Sequence, residues 1–203
     1  MRDGFTDFGT LVRRTEGAQP WRRAFHAANG VLLAIALTWW PFAPDTAWIA
    51  AWAVAATLLI GDLVRLRVPK ANELFFRLLR SLASPREAEG IASSTWYAVG
   101  IAVAVSFTPP PVAVSGILVL AFSDPAASYF GRRWGTRPFL GGSVEGSVLF
   151  LLVTLAVLAP RHGWTIALAV ALPVTLLERR SWPLDDNFTV PVATAAIVAL
   201  LAA

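Results

Sequence analysis

Residues 122–147 contain the side chains with the clearest potential for chemistry. Asp124 stands near the end of an apolar run, and Glu145 stands between Val144 and Gly146. A carboxylate within a membrane segment costs several kcal/mol, which favours a functional role over a purely structural one. Between the two acids lie residues suited to a polyphosphate, because glycines let backbone N–H groups approach and guanidinium groups bind oxygens in pairs. These residues are Gly131, Arg132, Arg133, Gly135 and Arg137.

Further polar residues accompany this stretch. Ser143 and Gly146 flank Glu145, and the start of the following apolar run would offer a positive helix end to phosphate. Asp185, Asp186 and Asn187 open the last apolar run, and hard oxygen ligands of this kind suit Mg²⁺ carried by a nucleotide. Ser123, directly before Asp124, is a further candidate for phosphate binding. Four polar residues at the ends of apolar runs are candidates for accessory roles: His26, Asn29, Glu178 and Asp185.

Each of these interpretations has a structural alternative. Asp124 could pair with Arg132 or Arg133 to stabilise a helix end instead of binding Mg²⁺ or acting as a general base. Glu145 could complement the helix start, or it could complete a metal site with Asp124. The acids at 185–186 could serve as a helix N-cap, and His26 could make a packing or headgroup contact instead of moving a proton.

The composition identifies the elements that must position these residues. The chain of 203 residues is 56% hydrophobic and 15% charged, with a mean hydropathy of +0.60, which is too apolar for an ordinary soluble domain. The absence of cysteine excludes disulfides and thiolate metal sites. Apolar runs predict an all-α, multi-pass membrane protein with about seven spans. They cover residues 24–41, 46–64, 91–108, 111–130, 144–160, 164–178 and 187–203.

Two further segments complete the organisation. Residues 1–23 are predicted to form a cytoplasmic, surface-lying amphipathic segment, with a disordered tail as the alternative, and residues 24–203 a single membrane-embedded catalytic domain. Within 65–90, Leu74, Phe75 and Leu78 recur at helical spacing and predict an amphipathic helix on the membrane surface.

The basic residues predict the orientation. Sixteen of the 17 Lys and Arg residues fall in the N-terminal segment and in alternate loops, whereas Arg161 alone falls in the remaining loops. The positive-inside rule then places the N-terminus in the cytoplasm and the polar cluster at the cytoplasmic face of the cell membrane. The same distribution explains the net charge of +4 without nucleic-acid binding.

The motifs and their order resemble the polyprenol kinase group, which contains dolichol kinases, phytol kinases and CTP-dependent diacylglycerol kinases. The resemblance covers most of the chain, from about residue 22 to 192, and rests on several segments together. They are Arg22-Arg23-Ala-Phe-His26, Ser123-Asp124-Pro125-Ala126-Ala127-Ser128 with Gly131-Arg132 and Gly135, Ser143-Val144-Glu145-Gly146-Ser147, Glu178, and Asp186-Asn187-Phe188-Thr189-Val190-Pro191.

The resemblance implies transfer of the γ-phosphate of a nucleotide, typically CTP with Mg²⁺, to the hydroxyl of a lipid alcohol. Asp124, Glu145, Asp186 and Asn187 would take the family's active-site roles, and Glu145 or Asp124 would accept the hydroxyl proton. The family usually has a lysine immediately before the Ser-hydrophobic-Glu-Gly segment, where this chain has Gly142. Arg137 or Arg133 is then the expected replacement, and the choice among CTP, ATP and UTP stays open.

Other functions are compatible with parts of the same pattern. A cytidylyltransferase that makes a CDP-lipid would use similar triphosphate chemistry but release pyrophosphate. A CDP-alcohol phosphotransferase is disfavoured because its Asp-Gly-x₂-Ala-Arg segment is absent. A transporter would carry polar residues near mid-membrane, whereas here they gather at one face, and a non-catalytic scaffold would bind no nucleotide. The uniformly apolar spans do not identify the lipid.

Overall fold

The structure is a computed structural model that describes residues 3–16, 20–43, 45–180 and 184–203. The first two residues and residues 17–19 of the predicted N-terminal segment lie outside the described residues. The elements are α1 (Asp3–Arg13), α2 (Pro20–Thr38), α3 (Asp45–Arg67), α4 (Pro69–Leu78), a 3₁₀ helix (Pro85–Ala88), α5 (Ser93–Phe107), α6 (Pro110–Trp134), β1 (Pro138–Phe139), β2 (Gly142–Ser143), α7 (Val144–Arg179) and α8 (Asp186–Leu201). The all-α prediction is confirmed.

Helix α6 is the central element of the bundle. It packs against α2, α7 and α8, and 56% of its apolar stretch is buried, compared with 17% for α3. Its side chains Ile117 and Leu120 are fully buried together with Phe150 and Leu158 of α7 and Val198 of α8. Because α6 touches the helices that carry most of the polar residues, it fixes their relative positions.

Helix α7 reverses direction at Gly163. This residue has φ 80° and ψ 162°, a backbone conformation that favours glycine. A straight helix of 36 residues would be about 54 Å long. In the structure the side chain of Arg179, at its end, lies against Gly142, just before its start. Residues 144–162 and 164–179 therefore form two antiparallel helices, in agreement with the two separate apolar runs in the sequence.

The outer surface of the bundle is strongly apolar. Leu168, Leu172 and Leu176 recur every four residues along one side of α7, and each is about half exposed. A continuous exposed stripe of this kind suits contact with lipid tails. Among the described residues, three helices are long and apolar enough to cross a membrane: Thr46–Arg67, Pro110–Trp134 and Val144–Arg179. Seven spans and a cytoplasmic N-terminus stay predictions.

The amphipathic helix predicted within 65–90 is observed as α4, which ends at Leu78. Phe76 is its buried aromatic residue and contacts the ring of Phe8 from α1, with ring centroids 5.6 Å apart. Leu74 and Leu78 are exposed, as expected for the face that a membrane surface would cover.

Candidate active site

Three carboxylates from three helices meet at one end of the bundle. Asp124 of α6, Glu178 at the end of α7 and Asp186 at the start of α8 each place one oxygen within 4.8 Å of the others. Oxygens that share an octahedral Mg²⁺ with bonds of 2.0–2.1 Å lie about 3 to 4 Å apart. Small side-chain shifts would therefore let this acidic group hold a magnesium ion. The set consists of hard oxygen donors, as that ion requires.

Asp124 reaches the acidic group from the second half of α6, where Pro125 follows it inside the helix. The positive and imidazole groups that act on it electrostatically come from α2: Arg22, Arg23 and His26. Arg22 donates from Nη2 to Ser93 Oγ at 2.7 Å, and Arg23 donates from Nε to Ser128 Oγ at 2.8 Å. These hydrogen bonds fix the two arginines beside the carboxylate.

The start of α8 combines a helix cap with a ligand position. Asp185 is the N-cap and accepts the backbone N–H of Asn187 at 3.0 Å. The buried amide of Asn187 also donates to Asp185 Oδ1 at 2.5 Å and to Asp186 Oδ1 at 3.1 Å. The N-cap interpretation is confirmed for Asp185. Asp186, oriented by Asn187, joins the acidic group, and its metal-binding role stays a prediction.

Glu178 is a full member of the acidic group, although its sequence position indicated only an accessory role. Its Oε2 lies 2.7 Å from Nε of Arg179, and both side chains are nearly buried, at 8% and 12% exposure. No motif pointed to Arg179, because a basic residue at the end of an apolar run is what membrane orientation alone requires. The signal that could have found it was its position next to Glu178.

Glu145 lies outside the acidic group of three. Its Oε1 accepts from Thr136 Oγ1 at 2.8 Å, and its Oε2 accepts the N–H groups of Thr136 at 3.2 Å and Arg137 at 3.4 Å. The short hairpin of β1 and β2 places this loop over the first turn of α7, so that the carboxylate binds the loop. Glu178, and not Glu145, joins Asp124 in the structure, and a catalytic role for Glu145 stays a prediction.

The predicted phosphate-binding glycines lie where α6 and α7 touch. A Cβ atom at Gly131 would be 3.3 Å from Gly146 Cα, so both glycines allow close helix packing. Gly146 donates its N–H to Ser143 Oγ at 3.1 Å, and Gly135 donates to Gly131 O at 3.1 Å. These two N–H groups have partners within the protein, which corrects the expectation that they are exposed for a ligand.

The other predicted phosphate contacts differ in their surroundings. Ser123 is fully buried and its Oγ lies 3.0 Å from Thr154 Oγ1, which makes it a link between α6 and α7. Arg133 is exposed, with its guanidinium 5.5 Å from the centre of the Trp134 ring. Arg132 is also exposed, and Arg137, 78% exposed, lies 3.9 Å from Glu145. Phosphate binding by these residues stays a prediction.

His26 presents a buried nitrogen toward the interior of the site. Its ring lies 5.0 Å from the ring of Tyr97, and among the described residues its Nε2 has no hydrogen-bond partner. Asn29, a little further along α2, is half-buried. A buried polar atom without a partner is costly, so Nε2 is a position at which a ligand hydroxyl would be stabilised.

A second polar cluster, which the sequence did not indicate, holds the loop between α4 and α5. Arg65 is buried at the end of α3, with Nε 2.6 Å from Asp62 Oδ1 and Nη1 2.9 Å from Asn72 Oδ1. The same Nη1 donates to the carbonyl of Glu87 at 2.6 Å, and Glu87 Oε1 lies 3.5 Å from Arg22. The Arg65 cluster thus connects the loop to α2 and to one of the arginines beside Asp124.

Comparison with known proteins identifies relatives that are named as lipid kinases. Phytol kinase from Synechocystis is 33% identical over 89% of this chain and 78% of the relative. CTP-dependent diacylglycerol kinase 1 from Schizosaccharomyces pombe is 24% identical over 70% of this chain and 74% of the relative. The enzyme of that name from Saccharomyces cerevisiae is 28% identical over 63% of this chain, and the match spans 43% of the relative. No family model and no solved structure matches the chain.

The protein is an all-α bundle with an apolar surface and an acidic group at one end. Together with its relatives, these features identify it as a lipid kinase that phosphorylates an alcohol. The chain belongs to the polyprenol kinase family, as the order of its motifs indicated.

Proposed function

We propose that this protein transfers the γ-phosphate of CTP to the hydroxyl of a membrane lipid alcohol, at the cytoplasmic face of the cell membrane. The hydroxyl oxygen bonds to the γ-phosphorus, the bond from this phosphorus to the β,γ-bridging oxygen breaks, and CDP leaves. The relatives act on diacylglycerol or phytol by their names, so the acceptor is a lipid of the diacylglycerol or isoprenoid type.

The convergence of Asp124, Glu178 and Asp186 is the observation that carries this proposal. Phosphoryl transfer requires charge neutralisation on the phosphates and in-line placement of the attacking oxygen, and little covalent chemistry. The three carboxylates would hold Mg²⁺, which would supply neutralisation of the phosphate charge. Asp124 and Asp186 keep the metal-binding role expected from the sequence, and Glu178 is added to them.

We assign the uptake of the hydroxyl proton to Nε2 of His26. This atom is buried, lacks a hydrogen-bond partner among the described residues and lies within electrostatic range of Asp124. The carboxylate of Asp124 would stabilise the imidazolium that forms. The sequence offered Asp124 or Glu145 as the base. The hydrogen bonds that Glu145 makes to Thr136 and Arg137 favour a structural role for that residue.

The position of the site also suits the lipid substrate. Glu178 and Asp186 lie at helix ends and Asp124 lies within α6, so the lipid tail can remain among the bilayer chains while the hydroxyl alone reaches the carboxylates. Fixed positions for the metal ligands on three packed helices favour rapid transfer, because the reacting groups are held in place before the reaction.

Transfer of label from [γ-³²P]CTP to a panel of lipid alcohols tests the proposal. Wild-type protein should form a labelled lipid and release CDP. Asp124→Asn should reduce the rate by about 100-fold or more, because the loss of one group that stabilises transition-state charge costs about 10² to 10³ in kcat. Undiminished transfer by this variant would contradict the assignment, and release of pyrophosphate would indicate a cytidylyltransferase.

A further inference from the structure

Arg179 places a nearly buried guanidinium directly beside the acidic group. Its side chain is 12% exposed, and its Nε pairs with Glu178 Oε2 at 2.7 Å. Glu178 in turn is one of the three carboxylates that could hold the metal. Within the described part of the chain, this ion pair is the one polar contact that the guanidinium makes. An ion pair through Nε leaves the four N–H donors of the two Nη groups for other partners.

The same guanidinium occupies the space above Gly142. A Cβ atom at position 142 would overlap Nη1 of Arg179 and would lie 2.8 Å from its Cζ. The backbone does not require glycine at this position, because the glycines with positive φ are Gly141 and Gly163. A side chain at position 142 would therefore require the guanidinium of Arg179 to move, but would not strain the backbone. The side chain of Arg179, which belongs to α7, occupies the volume that a side chain at position 142 of β2 would need.

We propose that Arg179 is the cation that binds the phosphates of the nucleotide, an inference that rests on the proposed function. Phosphates that share a metal ion with Glu178 come within reach of the neighbouring guanidinium. The fork of N–H groups on arginine matches two phosphate oxygens at once. A nearly buried cation is screened less by water and salt than the exposed Arg133 or Arg137, which the sequence offered for this role.

The alternative role for Arg179 is structural, as the partner of Glu178 at the end of a helix. Steady-state kinetics of Arg179→Ala separates the two roles. A phosphate-binding role predicts a rise of about 10- to 100-fold in the KM for CTP, the range expected for the loss of hydrogen bonds to a charged group, with an unchanged KM for the lipid. Arg180→Ala, an equal charge change at the exposed neighbour, should leave both constants unchanged.

A sharper test moves the positive charge from position 179 to position 142. Gly142→Lys alone should displace the guanidinium and weaken CTP binding. In the Arg179→Ala background the same substitution should recover at least about tenfold of the lost CTP affinity, because the new ammonium then occupies the vacated space. Gly142→Lys should therefore lower the affinity for CTP when residue 179 is arginine and raise it when residue 179 is alanine. If Arg179→Ala does not fold, Arg179→Gln with and without Gly142→Lys provides the same comparison.

Three outcomes would overturn the inference. They are a KM for CTP within about twofold of wild type in Arg179→Ala, a fall in kcat with no change in that KM, and an equal loss from Gly142→Lys in both backgrounds. Calorimetric titration of CTP with Mg²⁺ is measured in parallel. A wild type that binds CTP without transferring phosphate contradicts the proposed function alone and leaves the comparison at Arg179 valid, whereas a wild type that binds no CTP contradicts both.

Discussion

Asp186→Asn should change stability in opposite directions with and without magnesium. The oxygens of Asp186, Asp124 and Glu178 lie within 4.8 Å of one another. Two ionised carboxylates at that distance repel by about 3.5 kcal/mol for an effective dielectric constant of 20. The substitution removes two such repulsions and keeps the size of the side chain. Without metal, we expect the variant to be more stable than wild type by at least about 1 kcal/mol, or about 2–4 °C in the unfolding midpoint.

Magnesium should reverse this order. Binding of the ion to the folded wild type raises its unfolding midpoint by mass action, whereas the variant lacks one of the three ligands. Thermal unfolding of the detergent-solubilised protein, first in EDTA and then with Mg²⁺ and CTP, measures both effects. The matched control is Asp185→Asn, the same chemical change at the N-cap. It should not stabilise the metal-free protein and should keep the response to Mg²⁺. Destabilisation of Asp186→Asn in EDTA, or an undiminished response of this variant to Mg²⁺, would contradict repulsion among the three carboxylates.

Further predictions follow from the other polar groups. His26→Gln should lower kcat by about 10²- to 10³-fold with little change in the KM for CTP, because a general base acts in the transition state; an unchanged kcat would exclude it as the base. Glu145→Gln should change kcat by less than about tenfold and should mainly loosen the β1–β2 hairpin, which proteolysis of the loop measures. A loss of kcat as large as that of Asp124→Asn would instead support a catalytic role for Glu145. Arg65→Ala should destabilise the protein by about 3 to 5 kcal/mol in thermal unfolding, because it leaves the buried Asp62 unpaired. The exposed Arg67→Ala is its control, and an equal effect of both would contradict the buried role.

The sequence predicted the helices well because their signal is local. Apolar runs end at prolines, glycines and charges, and the break between residues 160 and 164 coincides with the reversal at Gly163. Asp124 and Asp186 were identified for the same reason, since a carboxylate within or at the edge of an apolar run is conspicuous. A position within one run is readable from the sequence without knowledge of the neighbouring helices.

Contacts between distant segments could not be predicted in this way. In the sequence, Glu178 and Arg179 are simply the charged end of an apolar run. Because α7 reverses direction at Gly163, its last residues come back to its first turn and lie beside Asp124 and Gly142. Glu145 stood out because glycine and serine flank it, but hydrogen bonds from the preceding hairpin determine where its carboxylate points. The side-chain partners, and not the residue types, distinguish these roles.

The central claim is that Asp124, Glu178 and Asp186 together hold the metal ion that the transfer requires. Titration with Mn²⁺, a paramagnetic probe for Mg²⁺, measures the bound ion by electron paramagnetic resonance in the presence of CTP. We expect Asp124→Asn, Glu178→Gln and Asp186→Asn each to weaken Mn²⁺ binding by about tenfold or more, because each removes a charged ligand, while Glu145→Gln should not weaken it. Wild-type affinity in the three variants, or loss of binding in Glu145→Gln alone, would contradict it.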